Sequence, residues 1–168
     1  MDTPKIYVAC LASYNRGILY GQWIDVDQNA SDIYDQIKTI LAGSSIGNAE
    51  EWAIHDYEGF GEIKLSEYED LETIVKYVEF IMEHEELGQA LIADYGLEEA
   101  QTMMADHYYG CYDSEVDFAR YVLEEYHSNP IPDNWLCYFD YEAFARDLFI
   151  NDFCSVEVDG NVHVFSYH

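Results

Sequence analysis

The stretch Phe153-Cys154-Ser155-Val156-Glu157-Val158-Asp159-Gly160-Asn161-Val162-His163-Val164-Phe165-Ser166-Tyr167 reads as a β-hairpin and settles how this chain ends. Residues 153–158 and 162–167 alternate in strand fashion, and Asp159-Gly160 between them is a strong two-residue turn signal. Just upstream, residues 138–149 read as a helix. Ser114-Glu115-Val116-Asp117 opens an earlier one, which Asn129-Pro130-Ile131-Pro132 ends. The last third therefore mixes strands with helices.

The first sixty residues form another mixed unit. Residues 5–11 and 18–26 are apolar and β-branched enough for two strands, with Ser13-Tyr14-Asn15-Arg16-Gly17 as the turn between them. Ser31 is expected to cap a helix whose apolar side chains Ile33, Ile37, Ile40 and Leu41 follow helical spacing, and residues 51–56 return as a third strand. Between these ends the chain reads as helix alone. Ser66-Glu67-Tyr68-Glu69 has the form of a capping box, followed by the stripe Leu71, Ile74, Val75, Val78, Ile81 and Met82. Further helices are expected over residues 85–95 and 97–105, with Gly96 as the stop between them. The reading is α+β, as small modules in a row: residues 1–61 N-terminal α/β, 62–106 central and all-helical, 107–168 C-terminal α+β.

Charge narrows the function. The chain holds 34 Asp and Glu against 7 Lys and Arg in 168 residues, a formal net charge of −27. Nucleic acid and anionic membranes repel such a surface, whereas basic grooves that hold phosphate attract it. Disorder is excluded, because 49% of residues are apolar and 16% aromatic. At about one charge per 1.7 Å of axis, the charge equals that of the phosphates of roughly 14 base pairs. A compact chain of this mass exposes roughly 8,500 Å², or about 300 Å² per net charge. A duplex has about 100 Å² per charge. A protein imitating DNA must therefore be elongated or gather its acids on one face. Residues 1–76 carry 14 acids and 5 bases, whereas residues 77–168 carry 20 acids and only Arg120 and Arg146. Both arginines are expected to be occupied internally, Arg146 by Glu142 four residues before it.

Nothing in the sequence signals catalysis. Asp25, Asp27 and Asn29 open like a calcium loop, but Ala30 and Gln36 stand where its glycine and closing glutamate belong. His84-Glu85-Glu86 lacks the cysteine half of a zinc deaminase signature. His55-Asp56-Tyr57-Glu58 sits where alternate residues of a strand face opposite ways. No GxSxG or Gly-rich phosphate loop is present. We expect no enzyme and no cofactor. Cys10, Cys111, Cys137 and Cys154 are scattered among apolar and aromatic neighbours, as buried reduced thiols are. Met1-Asp2-Thr3-Pro4-Lys5 lacks the features of a signal peptide, and no apolar run is long enough to cross a membrane. The expected location is the cytoplasm.

Three runs carry a family resemblance. They are Ile6-Tyr7-Val8-Ala9-Cys10-Leu11 with Tyr14-Asn15-Arg16-Gly17 and Gly21-Gln22-Trp23; Ala53-Ile54-His55-Asp56-Tyr57-Glu58; and Tyr138-Phe139-Asp140-Tyr141-Glu142-Ala143-Phe144-Ala145-Arg146-Asp147-Leu148. Across essentially its whole length the chain resembles the ArdA antirestriction proteins of plasmids and conjugative transposons. The resemblance implies a DNA mimic that occupies the DNA-binding groove of Type I restriction–modification enzymes. It also implies three modules in a line, a homodimer joined through the C-terminal modules, and an antirestriction motif near residues 126–140.

On this reading the partner meets a distributed acidic surface formed by Glu83, Glu85, Glu86, Asp94, Glu98, Glu99, Asp106, Asp113, Glu115, Glu124 and Glu125. Tyr138, Tyr141, Phe144 and Phe149 are the expected dimer contacts, on the resemblance and on the aromatic density of that segment. The alternative is an acidic inhibitor of another basic nucleic-acid-binding protein, a nuclease or a nucleoid protein. A glycosidase-like hydrolase is the remaining class, since paired carboxylates are easily found among so many acids.

Overall fold

The computed structural model describes residues 3–126 and 131–168. The chain is α+β and divides into two compact units, Met1–Leu97 and Glu98–His168.

In the first unit β1 (Lys5–Cys10) lies between β2 (Gly21–Asp25) and β3 (Trp52–Glu58), antiparallel to both. One face of this sheet is buried through Ile6, Val8 and Ile24. Helix α2 (Ala30–Ala42) packs there and buries Ile33, Ile37, Ile40 and Leu41, the spacing read from the sequence. Its cap is Asn29 rather than Ser31. The Asn29 side chain accepts from the Asp32 N–H at 2.9 Å, so the helix begins two residues earlier than expected. The segment expected to be a plain turn between β1 and β2 contains a single helical turn, α1 (Leu11–Tyr14). It buries Ser13, whose hydroxyl bonds that of Ser44 at 2.8 Å.

The long helix α3 (Leu71–Tyr95) is capped by Asp70, which accepts from the Thr73 N–H at 3.0 Å. The expected capping box forms one turn ahead of it. The Ser66 N–H donates to the Glu69 carboxylate at 3.1 Å, but these residues make a turn rather than the first turn of helix. The apolar stripe is buried at Leu71, Ile74, Val78 and Ile81, whereas Met82 is exposed. At Glu85 the backbone breaks from helical geometry, with φ 53° and ψ −135°. A residue with a side chain is strained there. Just beyond, a Cβ built on Gly88 would lie 3.0 Å from the Phe80 carbonyl oxygen, a contact so tight that a side chain there requires the neighbour to shift. The interruption matches the start expected near residue 85, and Gly96, at φ 83°, ends the helix.

The second unit opens with α4 (Leu97–Thr102) and a π-helical turn, Met103–His107. Its sheet has the order β4 (Tyr108–Tyr112), β6 (Asn161–Ser166), β5 (Phe153–Val158), all antiparallel. The hairpin β5–β6 turns at Asp159 and Gly160, both at positive φ, as their residue types suggested. Helix α5 (Glu115–Tyr121) is capped by Ser114 and continues into a π-helical turn, Val122–Tyr126. Its expected end at Asn129-Pro130 lies outside the described residues. A 3-10 turn, Asp133–Tyr138, precedes α6 (Tyr141–Asn151), which starts three residues later than expected because Asp140 caps it. The core is aromatic. Phe118 is fully buried and meets the rings of Tyr109, Tyr112, Tyr121, Phe149 and Phe153 at centroid distances of 6.2, 5.0, 6.5, 5.7 and 4.8 Å.

Candidate acidic interaction surface

Each carboxylate expected on the interaction surface is exposed, except Glu115. Glu83, Glu85 and Glu86 cluster where α3 is interrupted, and Asp94 lies near its end. These four belong to the first unit. Glu98 and Glu99 occupy the first turn of α4, where the positive end of the helix dipole favours them. Asp106 lies in the following π-helical turn, Asp113 just after β4, and Glu124 and Glu125 in the turn that extends α5. Glu115 is half-buried, and its carboxylate accepts from the Ser155 hydroxyl at 2.7 Å. It ties α5 to β5 and is partly withdrawn from the surface it was assigned to.

Among the described residues, two lysine ion pairs lie away from this surface. In the first unit Lys5 pairs with Glu58 at 2.9 Å and Lys38 with Asp35 at 3.1 Å. The second unit holds 15 acids and two arginines. Among the described residues neither arginine forms an ion pair, and the expected contact between Glu142 and Arg146 is not made. Arg120 is occupied in a different way. Its guanidinium carbon stacks 4.2 Å from the ring centroid of Tyr141, whose hydroxyl donates to Glu124 at 2.8 Å. Burial raises the Tyr141 phenol, the bond to Glu124 raises it further, and Arg120 opposes the shift.

The expected dimer contacts separate into two kinds. Phe144 and Phe149 are half-buried and pack against Phe118, Val122 and Val164 inside the unit. Tyr138 is 85% exposed, and its neighbour Trp135 is 63% exposed. With Ile131, Pro132 and Phe139 these two line a shallow apolar groove of about 640 Å³. Reading for periodic spacing missed Trp135, because a 3-10 turn places side chains on neither the helical nor the strand period. Its signal was the aromatic run after Pro132. Residues 127–130, within the stretch expected to hold the antirestriction motif, lie outside the described residues.

Other polar groups are used locally. Asp25 ends β2 and Asn29 caps α2. His84 lies edge-on to Phe80 at 4.4 Å, and His55 edge-on to Tyr14 at 4.8 Å. Burial lowers His163, which is bonded to the Tyr108 hydroxyl at 2.9 Å. Among the described residues no three His, Cys, Asp or Glu side chains are grouped to hold a metal, and no helix is long and apolar enough to cross a membrane. The cysteines are less uniform than expected. Cys10 is buried, Cys154 is half-buried, and Cys111 and Cys137 are exposed, all as free thiols.

A sequence model of the family described as antirestriction protein (ArdA) matches residues 6–162. No curated protein matches the chain.

Proposed function

The chain belongs to the ArdA family of antirestriction proteins, and from that premise we propose that it works as an acidic DNA mimic. It occupies the DNA-binding groove of Type I restriction–modification enzymes in the cytoplasm. One observation carries the reading: the unit Glu98–His168 holds 15 acids against two arginines, and one of these, Arg120, lies on a tyrosine ring. A groove that reads duplex DNA is lined with Lys and Arg whose partners are phosphates. Exposed carboxylates satisfy those groups without carrying any base sequence. The mimic therefore acts irrespective of the sequence that a given restriction enzyme recognises.

The same reading has the protein act stoichiometrically, without cofactor or turnover. It acts as a homodimer joined through the last of three modules, residues 107–168, where exposed Tyr138 and Trp135 supply apolar area. A dimer doubles the charge, so its contact must bury apolar surface to overcome the repulsion. The test is a titration of the protein against a fixed amount of a Type I enzyme in the presence of a chelator. A sharp equivalence point, with labelled duplex displaced in parallel, is expected. Inhibition that leaves duplex binding intact, or that develops with time at substoichiometric amounts, would overturn the proposal.

A further inference from the structure

The sheet of the first unit has a second face, and its composition is unusual. Strand alternation places Lys5 and Tyr7 of β1 opposite to buried Ile6 and Val8. Directly across from Tyr7 stand Trp23 on β2 and Asp56 on β3; directly across from Lys5 stand Asp25 and Glu58. The rings of Tyr7 and Trp23 meet edge-on at 5.5 Å. Trp23 remains 41% exposed, and Asp25, Asp56 and Glu58 are exposed around it. A solvated sheet face requires only polar side chains. This one holds an aromatic centre within a ring of carboxylates.

A cation already uses the arrangement. The Lys5 ammonium lies 2.9 Å from Glu58 and 5.2 Å from the centroid of the Trp23 ring. Ring and carboxylate thus act on one positive group together. We propose that this face receives an arginine side chain of a partner protein, its guanidinium stacked on the exposed ring of Trp23, which Tyr7 buttresses edge-on, and bonded to Asp25, Asp56 or Glu58. Three acids against one lysine leave the face negative, which is the complement of such a partner. Arginine fits better than lysine, because a planar guanidinium stacks on an aromatic ring and bonds a carboxylate with two parallel N–H groups at once. Exposed bases of a nucleic acid would also stack on the rings, but the three carboxylates oppose their phosphates. The proposal goes beyond charge mimicry, because it assigns one localised contact in which a ring, and not only a field, selects the partner group. It stands whether or not the partner is a restriction enzyme.

The test uses the full-length, isotope-labelled protein with a tetra-arginine and a tetra-lysine peptide of equal charge at about 0.15 M salt. The arginine peptide is expected to bind roughly five-fold more tightly. Its largest additional shifts should fall on the Trp23 indole N–H and on the amides around Tyr7. Trp23→Leu keeps an apolar side chain but removes the ring, and should abolish the difference between the peptides while leaving their common, charge-driven binding. Equal affinity of the two peptides would overturn the proposal, as would arginine-specific shifts centred elsewhere. If Trp23→Leu does not fold, the wild-type shift map together with Asp56→Asn and Glu58→Gln decides. Unchanged arginine preference in that pair, with shifts away from Trp23, refutes it. Loss of restriction inhibition alone would bear on the mimicry reading and leave this result untouched.

Discussion

The Arg120 guanidinium lies over the ring of Tyr141, 4.2 Å from its centroid. One of the two cations in the acidic second unit is therefore held by a neutral ring rather than by a carboxylate. The Tyr141 hydroxyl in turn donates to Glu124, so the three side chains link α5, its π-helical extension and α6. The group bonded to Glu124 is a phenol, which brings no positive charge to that carboxylate.

Alkaline solution should loosen the second unit. Burial raises the phenols of Tyr108, Tyr112 and Tyr141 above their ordinary value of 10.0, with negative or ionisable neighbours adding to each. A group whose folded-state pKa is raised contributes stability that is complete below the unfolded value and lost as pH rises through the folded one. Unfolding midpoints should hold up to about pH 10 and fall above it. Tyr141→Phe should show a shallower fall. At neutral pH it should cost only about 0.5 kcal/mol, since the bond it removes is exposed. Thermal melts from pH 8 to 11 on both proteins check this, and parallel curves would count against it.

The break in α3 makes opposite predictions for two neighbouring positions. Glu85→Gly should stabilise the first unit by about 1 kcal/mol, because glycine adopts that backbone conformation without strain. Gly88→Ala should destabilise it by about 1–3 kcal/mol, because its Cβ meets the carbonyl of Phe80. Urea unfolding monitored by circular dichroism measures both. If the two substitutions moved the midpoint in the same direction, the break would not be as described.

Parts of both units were legible, and the reasons are physical. Ile33, Ile37, Ile40 and Leu41 recur on one helical face and are buried there, and Asp159-Gly160 can scarcely do anything but turn. Helix starts were placed less well. Ser31, Ser66 and residue 138 each stood close to another capping residue, and the side chains that cap the helices are those of Asn29, Asp70 and Asp140. Of the candidate surface, the exposure of the acids followed from their charge alone. The withdrawal of Glu115 depended on Ser155, forty residues away, which local spacing cannot register. The ring that holds Arg120 belongs to the same class of long-range contact.

Inhibition should be spread over many carboxylates. Exposed ion pairs contribute only about 0–1 kcal/mol each. Glu99→Gln, Asp113→Asn and Glu125→Gln should each leave inhibition of a Type I enzyme within a few-fold of wild type, and the triple variant should weaken it progressively further. A folded single variant that abolishes inhibition would mean that one group, and not the field, does the work.

Dimerisation and folding should separate by mutation. Trp135→Ala and Tyr138→Ala alter exposed rings, and each should yield folded monomers by sedimentation. Phe118→Ala removes the hub of the aromatic core and should destabilise the fold by about 3–5 kcal/mol. A wild-type protein that sediments as a monomer at micromolar concentration would remove the basis for the first expectation.

The cluster around Phe118 is made of uncharged rings, and among the described residues of the second unit no ion pair adds to that unit's cohesion. Its surface acids only repel one another, and that repulsion is what dissolved salt screens. Ionic strength should therefore act on this molecule with two opposite signs. Raising sodium chloride from about 0.05 to 0.5 M should increase its melting temperature, yet the same change should loosen its grip on a basic partner. The protein is held together least firmly under the conditions in which it binds best.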